Sequence, residues 1–347
     1  MSRKEYLLKY AKTSGRGMEV APYFNPTLKK SDGFDILTLD VFNSQELRER
    51  ATQDENIDAA SVLEIEDVDL VGDASRLGEI IKEQGLEGQF DYVISSHNFE
   101  HLPNPILFLQ GVSVALKPGG ILSMALPDCR ACFDHYRMPT RLVDWLRAYH
   151  EEHKQPTPET IFDSSVNFAN YMRGGVEKLG MHVGKDSLNN FRPTERVRAS
   201  YAAYLENRAT PGPYQDSHCS VFFAESLELM LLDLRHLGLI DLNTIETIPT
   251  NGLEFYIHLR KSDNVNEEQI DDSEFYIRRA ALMNLVVENL GNPGIRNIQG
   301  NSGKAILARS FRKVESGARM LNSKILGNER AKKIDQWWRS KRKRRSN

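Results

Sequence analysis

The sequence predicts a doubly wound α/β fold: a mostly parallel sheet with helices on both faces, closed by a C-terminal antiparallel hairpin strand. Three observations carry the prediction. Short apolar runs alternate with helical segments four times between Gly17 and Pro127. One of these runs, "FDYVISSHN" (Phe90 to Asn98), is the continuous β-branched kind buried on both faces of a parallel sheet. Two late strands, "DLNTIETIP" and "LEFYIHLRK", are separated only by "TNG", which closes a hairpin and nothing longer, so the last strand must run antiparallel to its neighbours.

The elements follow in order. "GMEVA" is a buried strand, and "DILTLD" (Asp35 to Asp40) is the second. "SQELRERA" is helical, with Ser44 placed to cap its start. "VDLVGDA" (Val68 to Ala74) is the third strand, followed by a helix over Ser75 to Gln84. After the fourth strand, a helix from about Pro103 to Leu116 leads through the turn "KPGG" into the strand "ILSMALP". Between Arg130 and Ser217 the rhythm breaks, and Pro139, Pro156, Pro158, Pro193, Pro211 and Pro213 cut the chain into short helices and loops. The αβ rhythm resumes with the helix "AESLELMLLDLRHLG".

Three parts result. Residues 1–262 form one domain with an insertion at 130–217, residues 263–303 a helix ("EFYIRRAALMNLVVENL", expected to pack on the domain) and a Gly- and Asn-rich linker, and residues 304–347 a basic helical tail.

Composition narrows the function classes. A chain of 347 residues that is 40% hydrophobic is ordinary for a globular protein. No window approaches the roughly 20 apolar residues of a membrane span, and the first residues lack a long apolar segment, so a cytoplasmic location is expected. Three cysteines, Cys129, Cys132 and Cys219, are too few for a disulfide framework. The net charge of −3 conceals an asymmetry: from Lys304 onward fifteen Lys and Arg face three acids, a tail of +12 on a body of −15. In that tail Leu307, Phe311, Val314, Ala318, Leu321 and Ile325 form one apolar stripe, and Trp337 and Trp338 precede "RSKRKRR". Stripe and charge together suit an anionic membrane surface; fewer than three heptads make a poor coiled coil, and a nucleic-acid partner is not expected on an acidic body.

The stretch "GMEVAPYFNP" (Gly17 to Pro26) runs from strand to loop where nucleotide-binding folds keep several glycines, and it has none after Gly17. With "VGDASRL", "SSHNFEHLPNP", "LKPGGILSMALPD", "FDHYRMPT" and "DSHCSVF" it resembles the class I S-adenosylmethionine-dependent methyltransferases of the type 11-like branch, from Gly17 to about Arg260. Ala21 stands where that branch usually has glycine. The resemblance implies a Rossmann-like fold, S-adenosylmethionine as cofactor, and methyl transfer to oxygen or nitrogen of a small molecule or glycan.

Site residues follow from the motifs. S-adenosylmethionine has no pyrophosphate, so the three-glycine cradle of dinucleotide folds is not needed, and the loop Glu19, Ala21 and Pro22 is expected to bind cofactor, with Glu19 at the methionine amine and Pro22 fixing the turn. Asp40, with Val41, ends the second strand where a carboxylate can accept both ribose hydroxyls. Asp73 and Ala74 are placed for the adenine, although Asp73 could equally be a helix cap. His97 and Asn98 line the methionine part. For a hydroxyl acceptor a base is needed, and His101 is the expected one. The insertion supplies the acceptor side: Asp128, Arg130 and His135, with Asp134, Tyr136 and Arg137 beside them, and Asp216 and His218 returning at its far end.

Other readings are weighed against these. Cys129 and Cys132 make a C-x-x-C, but the resembling branch generally has Lys and Thr there, and no metal site is expected. "HEEH" at 150–153 lacks the spacing of a metalloprotease helix. A methyltransferase fold kept as an inactive binding module is the alternative, and an NAD-dependent oxidoreductase lacks the G-x-G-x-x-G fingerprint.

Overall fold

The computed structural model describes residues 1–178, 180–183, 185–210, 212–263 and 271–291. Helix α1 (Arg3–Leu7) precedes β1 (Gly17–Val20) and β2 (Ile36–Asp40). Next come α2 (Ser44–Gln53), α3 (Ala59–Leu63), the two-residue β3 (Leu70–Val71) and α4 (Leu77–Glu83). Strand β4 (Phe90–Ser96), α5 (Pro105–Ala115) and β5 (Leu116–Pro127) complete the parallel part. The insertion contains α6 (Leu142–His150), α7 (Pro158–Val166), β6 (Ala169–Arg173), β7 (Val176–Lys178), β8 (Phe191–Pro193) and α8 (Val197–Ala209). Helix α9 (Ala224–His236) then leads to β9 (Leu242–Asn251) and β10 (Glu254–Lys261).

The main sheet has the order β3-β2-β1-β4-β5-β10-β9. Met18 on β1 pairs with Leu37 on one side and Val93 on the other, both parallel. β10 is antiparallel to both β5 and β9, as the short turn requires, with Gly252 at φ 73° in the hairpin. The turn "KPGG" is a bulge at the start of β5, where Phe90 pairs with Leu116 and Tyr92 with Ile121.

Alternation along the strands fills two layers. Met18, Val20, Val93, Leu122 and Met124 face α4, α5 and α9 through Leu77, Ile81, Leu109, Leu231 and Leu234. Tyr92, Ile94, Ala125 and Tyr256 face the other way, onto Leu7 of α1 and Leu28. Helices α4 and α5 touch backbone to backbone: a Cβ on Gly111 would lie 2.5 Å from Gly78 N, so only glycine lets α5 seat there. Asn104 caps α5 by accepting from Leu107 N at 3.3 Å, and Pro105 starts it.

Two expectations are corrected. The cap of α2 is Asn43, which forms a capping box with Glu46, whereas Ser44 Oγ accepts from Val68 N at 2.9 Å and ties the helix to the next segment. The insertion is more than helices and loops, because β7-β6-β8 form a small antiparallel sheet around Tyr171 and Phe191.

Residues from 270 on belong to a second unit, of which α10 (Asp272–Gly291) is described. The linker and basic tail expected beyond it lie outside the described residues. No described helix is long and apolar enough to cross a membrane.

Candidate active site at the carboxyl ends of the strands

The loop after β1 is held by backbone conformation. Ala21 and Tyr23 have φ of 49° and 48°, the left-handed region that favours glycine, so the alanine that replaces the usual glycine carries strain of about 1–2 kcal/mol. Pro22 O accepts from Asn25 N at 3.0 Å and closes the turn. Glu19, buried, accepts from Thr27 N at 2.9 and 3.0 Å and from Leu28 N at 3.4 Å. Burial raises its pKa and those bonds offset part of the rise. The carboxylate expected at a ligand amine is thus committed to the loop, because the amides of Thr27 and Leu28 would otherwise be unpaired as the chain turns back.

Asp40 ends β2 buried, with its pKa raised by desolvation, and accepts one long bond from Phe42 N at 3.4 Å. Val41 beside it is exposed. Asp73 accepts from Ser75 N at 2.7 Å and caps a single 3₁₀ turn over Ala74–Arg76, so the local reading of this aspartate is realised. Ala74 is buried next to a Ser75 hydroxyl that has no partner.

At the end of β4 the chain turns through His97, whose φ is 50°. Its Nε2 lies 2.7 Å from Glu254 and its Nδ1 3.4 Å from Glu100. Burial disfavours the charged ring, but the two carboxylates outweigh it and hold the pKa up at about 9. Arg3 of α1 reaches the same place, bonding Ser96 Oγ and lying 3.2 Å from Glu254. Asn98 Nδ2 is buried without a partner, an unused donor at the strand edge. Sequence reasoning missed Arg3 and Glu254, which lie far from His97 in sequence and carry no motif.

The expected acceptor side is a web of histidines and carboxylates. His101 Nδ1 lies 2.9 Å from Asp216 Oδ1, and Tyr214 donates its hydroxyl to the same oxygen at 3.2 Å. Desolvation would lower the His101 pKa, but Asp216 and Glu100 raise it. His218 Nδ1 lies 2.5 Å from Asp134 Oδ2, and Arg137 holds the other Asp134 oxygen at 2.9 Å. The rings of His101 and His218 meet edge to face at 4.6 Å. Glu100, His101 and His218 each offer a donor atom within 4.8 Å of the others.

The remaining acceptor residues are engaged otherwise. Arg130 forks onto Asp128, with Nε at 2.9 Å and Nη2 at 2.5 Å, and sits 4.3 Å over the Phe223 ring. Thr250 bonds the same aspartate. An arginine so paired has little left for an anionic acceptor, and with Asp128 it closes the exit of β5. His135 stacks on Phe191 at 4.0 Å and its Nδ1 donates to Arg130 O at 2.8 Å, and burial lowers its pKa. These three brace the insertion. Burial also pushes the Cys129 and Cys132 thiols well above the usual range and Cys219 up to about 12, and none of the cysteines joins a ligand cluster among the described residues.

A cleft of about 470 Å³ lined by Gln110, Ser113, Asp241 and Lys261 lies at the other end of the sheet. Open α/β sheets bind at the carboxyl ends, so the cleft is not the cofactor site. At those ends a buried under-bonded Asp40, an unpaired Asn98 amide and a loop bent by Ala21 and Tyr23 fit a ligand of the adenosyl-amino-acid kind.

Residues 7–166 match the family model described as a methyltransferase domain, over a sheet whose penultimate strand in space is the lone antiparallel one. Residues 7–166 carry a methyltransferase domain. Several solved structures are similar. A protein from Pyrococcus horikoshii is 15% identical over 74% of this chain and 86% of its own, with a TM-score of 0.36. A SAM-dependent methyltransferase from Aquifex aeolicus is 12% identical over 75% and 89%, with a TM-score of 0.37. Another from Mesorhizobium loti is 12% identical over 75% and 99%, also with a TM-score of 0.37. No curated protein matches the chain. The assignment rests on the family match and the strand order.

Proposed function

We propose that this methyltransferase domain methylates an oxygen or nitrogen of a small polar molecule or glycan that enters between the end of β4 and the insertion. The observation that supports this most is the His101–Asp216 pair at 2.9 Å beside the β4 edge: with Nδ1 facing the carboxylate, Nε2 is free to take an acceptor proton. Bound S-adenosylmethionine supplies an electrophilic sulfonium methyl. The chain supplies the rest: Asp40 and Val41 hold the ribose end, Asp73, Ala74 and Ser75 the adenine, Asn98 and the Ala21–Pro22 loop the amino-acid end, and His97 shapes the edge.

The sequence from Lys304 on supports a further part of this reading, a cytoplasmic enzyme held at an anionic membrane face, since apolar residues spaced three and four apart among fifteen Lys and Arg would meet both requirements of interfacial binding. Sedimentation with anionic vesicles should need residues beyond 300 and weaken with salt.

The reaction is tested with methyl-labelled cofactor and two acceptor panels, glycans or sugar nucleotides in one and small amines in the other. Label in an acceptor product, lost in Asp40→Ala, supports the reading. A folded protein that binds S-adenosylhomocysteine yet labels neither panel contradicts it.

A further inference from the structure

We infer that Glu100, His101 and His218 form a three-ligand site for a divalent transition-metal ion of the zinc class on the acceptor side of the methyltransferase domain. One donor atom from each lies within 4.8 Å of the others. Two imidazoles and a carboxylate are the mixed nitrogen and oxygen set that zinc and its neighbours prefer. With metal–ligand distances of about 2.0–2.2 Å, bound donors sit roughly 3.3 Å apart, so closing the site needs side-chain movement on the order of an ångström.

The surroundings of the two histidines are the first argument. A metal-bound histidine almost always gives its second ring N–H to a carboxylate or carbonyl, which fixes the tautomer and aims the other nitrogen. Both rings have that arrangement here: His101 Nδ1 faces Asp216 at 2.9 Å and His218 Nδ1 faces Asp134 at 2.5 Å. Each carboxylate is itself held, Asp216 by the Tyr214 hydroxyl at 3.2 Å and Asp134 by Arg137 at 2.9 Å, while Arg137 also binds Asp163 at 2.7 Å. Nε2 is then the free donor on both rings. The partners come from distant segments, so local sequence does not impose the pairing.

Glu100 is the second, independent argument. It is 1% exposed, and neither carboxylate oxygen accepts a hydrogen bond. A buried carboxylate whose one cationic neighbour stands 3.4 Å away is under-compensated and has room for a second cation. His97 Nδ1 is 3.4 Å from one oxygen, beyond good hydrogen-bond distance, while its Nε2 is 2.7 Å from Glu254, and the second Glu100 oxygen has no donor. A divalent ion between Glu100 and the two free ring nitrogens satisfies all three at once. Glu100, Asp134 and Asp216 bring three negative charges to the site, facing the cationic Arg137 and His97.

Three protein ligands leave a coordination position open, the mark of a working rather than a structural site. A hydroxyl or amine held in that position would have a lowered pKa and could release its proton to solvent water, so that no side-chain base would be needed once His101 is a ligand. That last link rests on the proposed methyl transfer; the binding of the ion does not.

The test is a titration of the full chain after chelator treatment, with Co²⁺ followed by its visible absorption and Zn²⁺ by calorimetry. One ion per chain is expected, with affinity falling at least a hundredfold in Glu100→Gln and in His218→Ala. Asp216→Asn should weaken binding roughly ten- to a hundredfold through the ring it positions. Circular dichroism establishes that each variant is folded, and the near-isosteric Glu100→Gln keeps the test open if His218→Ala unfolds. Wild-type protein without saturable binding overturns the inference, as does binding that survives both ligand changes or is lost in a Cys129→Ser/Cys132→Ser variant. S-adenosylhomocysteine titration of the same samples keeps the two claims apart, since cofactor binding and turnover without metal would remove the ion and leave the methyltransferase reading intact.

Discussion

The proposed cofactor end and the proposed acceptor end of this site are built by different means. At the cofactor end the work is done by backbone: Ala21 and Tyr23 in left-handed conformations, Glu19 bonded to the amides of Thr27 and Leu28, and a single poorly satisfied carboxylate at Asp40. At the acceptor end it is done by side-chain charge, in the chain Asp163–Arg137–Asp134–His218 and in the pair Asp216–His101. Backbone shape suits a ligand common to a whole family. Charged side chains on an insertion can be exchanged without disturbing the sheet, which suits an acceptor that differs from one enzyme to the next.

If the ends are independent, damage to one should spare the other. The largest effect is expected from Arg137→Leu, which removes the guanidinium from buried Asp134 and leaves it with His218 as its charged partner, at a cost of about 3–5 kcal/mol. Urea unfolding should register that loss. The protein still folded in buffer should bind S-adenosylhomocysteine nearly as well as wild type, and an equal loss of cofactor affinity would show the ends to be one network.

Acid should act beneath both ends, on the sheet. His258 of β10 is fully buried against Ser123 and burial lowers its pKa to about 4. The unfolded chain takes up this proton near pH 6.5 and the native protein does not, so the contribution is fully present above 6.5 and is lost as pH falls toward 4, to a total of about 3 kcal/mol. The stability slope across that window should flatten in His258→Phe. An unchanged slope would move the acid sensitivity to another group such as His135, whose pKa burial also lowers.

The smallest effect belongs to Ala21→Gly. Relief of the left-handed alanine is opposed by greater freedom of the unfolded glycine, so the midpoint should rise by no more than the equivalent of about 1 kcal/mol. Ala21→Val should instead be destabilising, because a β-branched residue at φ 49° is more strained. A valine tolerated without loss would mean that the loop is not held by conformation.

The central sheet was legible because its signals are local: the apolar run Phe90–Ser96, the proline and asparagine at the start of α5, and the tight turn at Gly252 that forced β10 to reverse. Some misses were avoidable. The Asn43–Glu46 capping box was readable, and Gly174–Gly175 between β6 and β7 is an ordinary hairpin signal obscured by its polar neighbours. Glu19 and Arg130 are different. Sequence placed them at the strand edge, but whether a charged group faces a ligand or its own chain depends on partners such as Thr27 and Asp128 whose geometry only the folded protein supplies. Glu100 was hidden for the same reason, since nothing in "HNFEH" says that its carboxylate is buried without donors.

The division between the two ends is tested most directly by calorimetric titration of S-adenosylhomocysteine into wild type, Asp40→Ala and Glu100→Gln. Loss of charge-assisted bonds worth about 1.5–3 kcal/mol predicts roughly ten- to a hundredfold weaker binding for Asp40→Ala, with Glu100→Gln close to wild type. Wild-type affinity in Asp40→Ala, or an equal loss in both variants, would contradict the account.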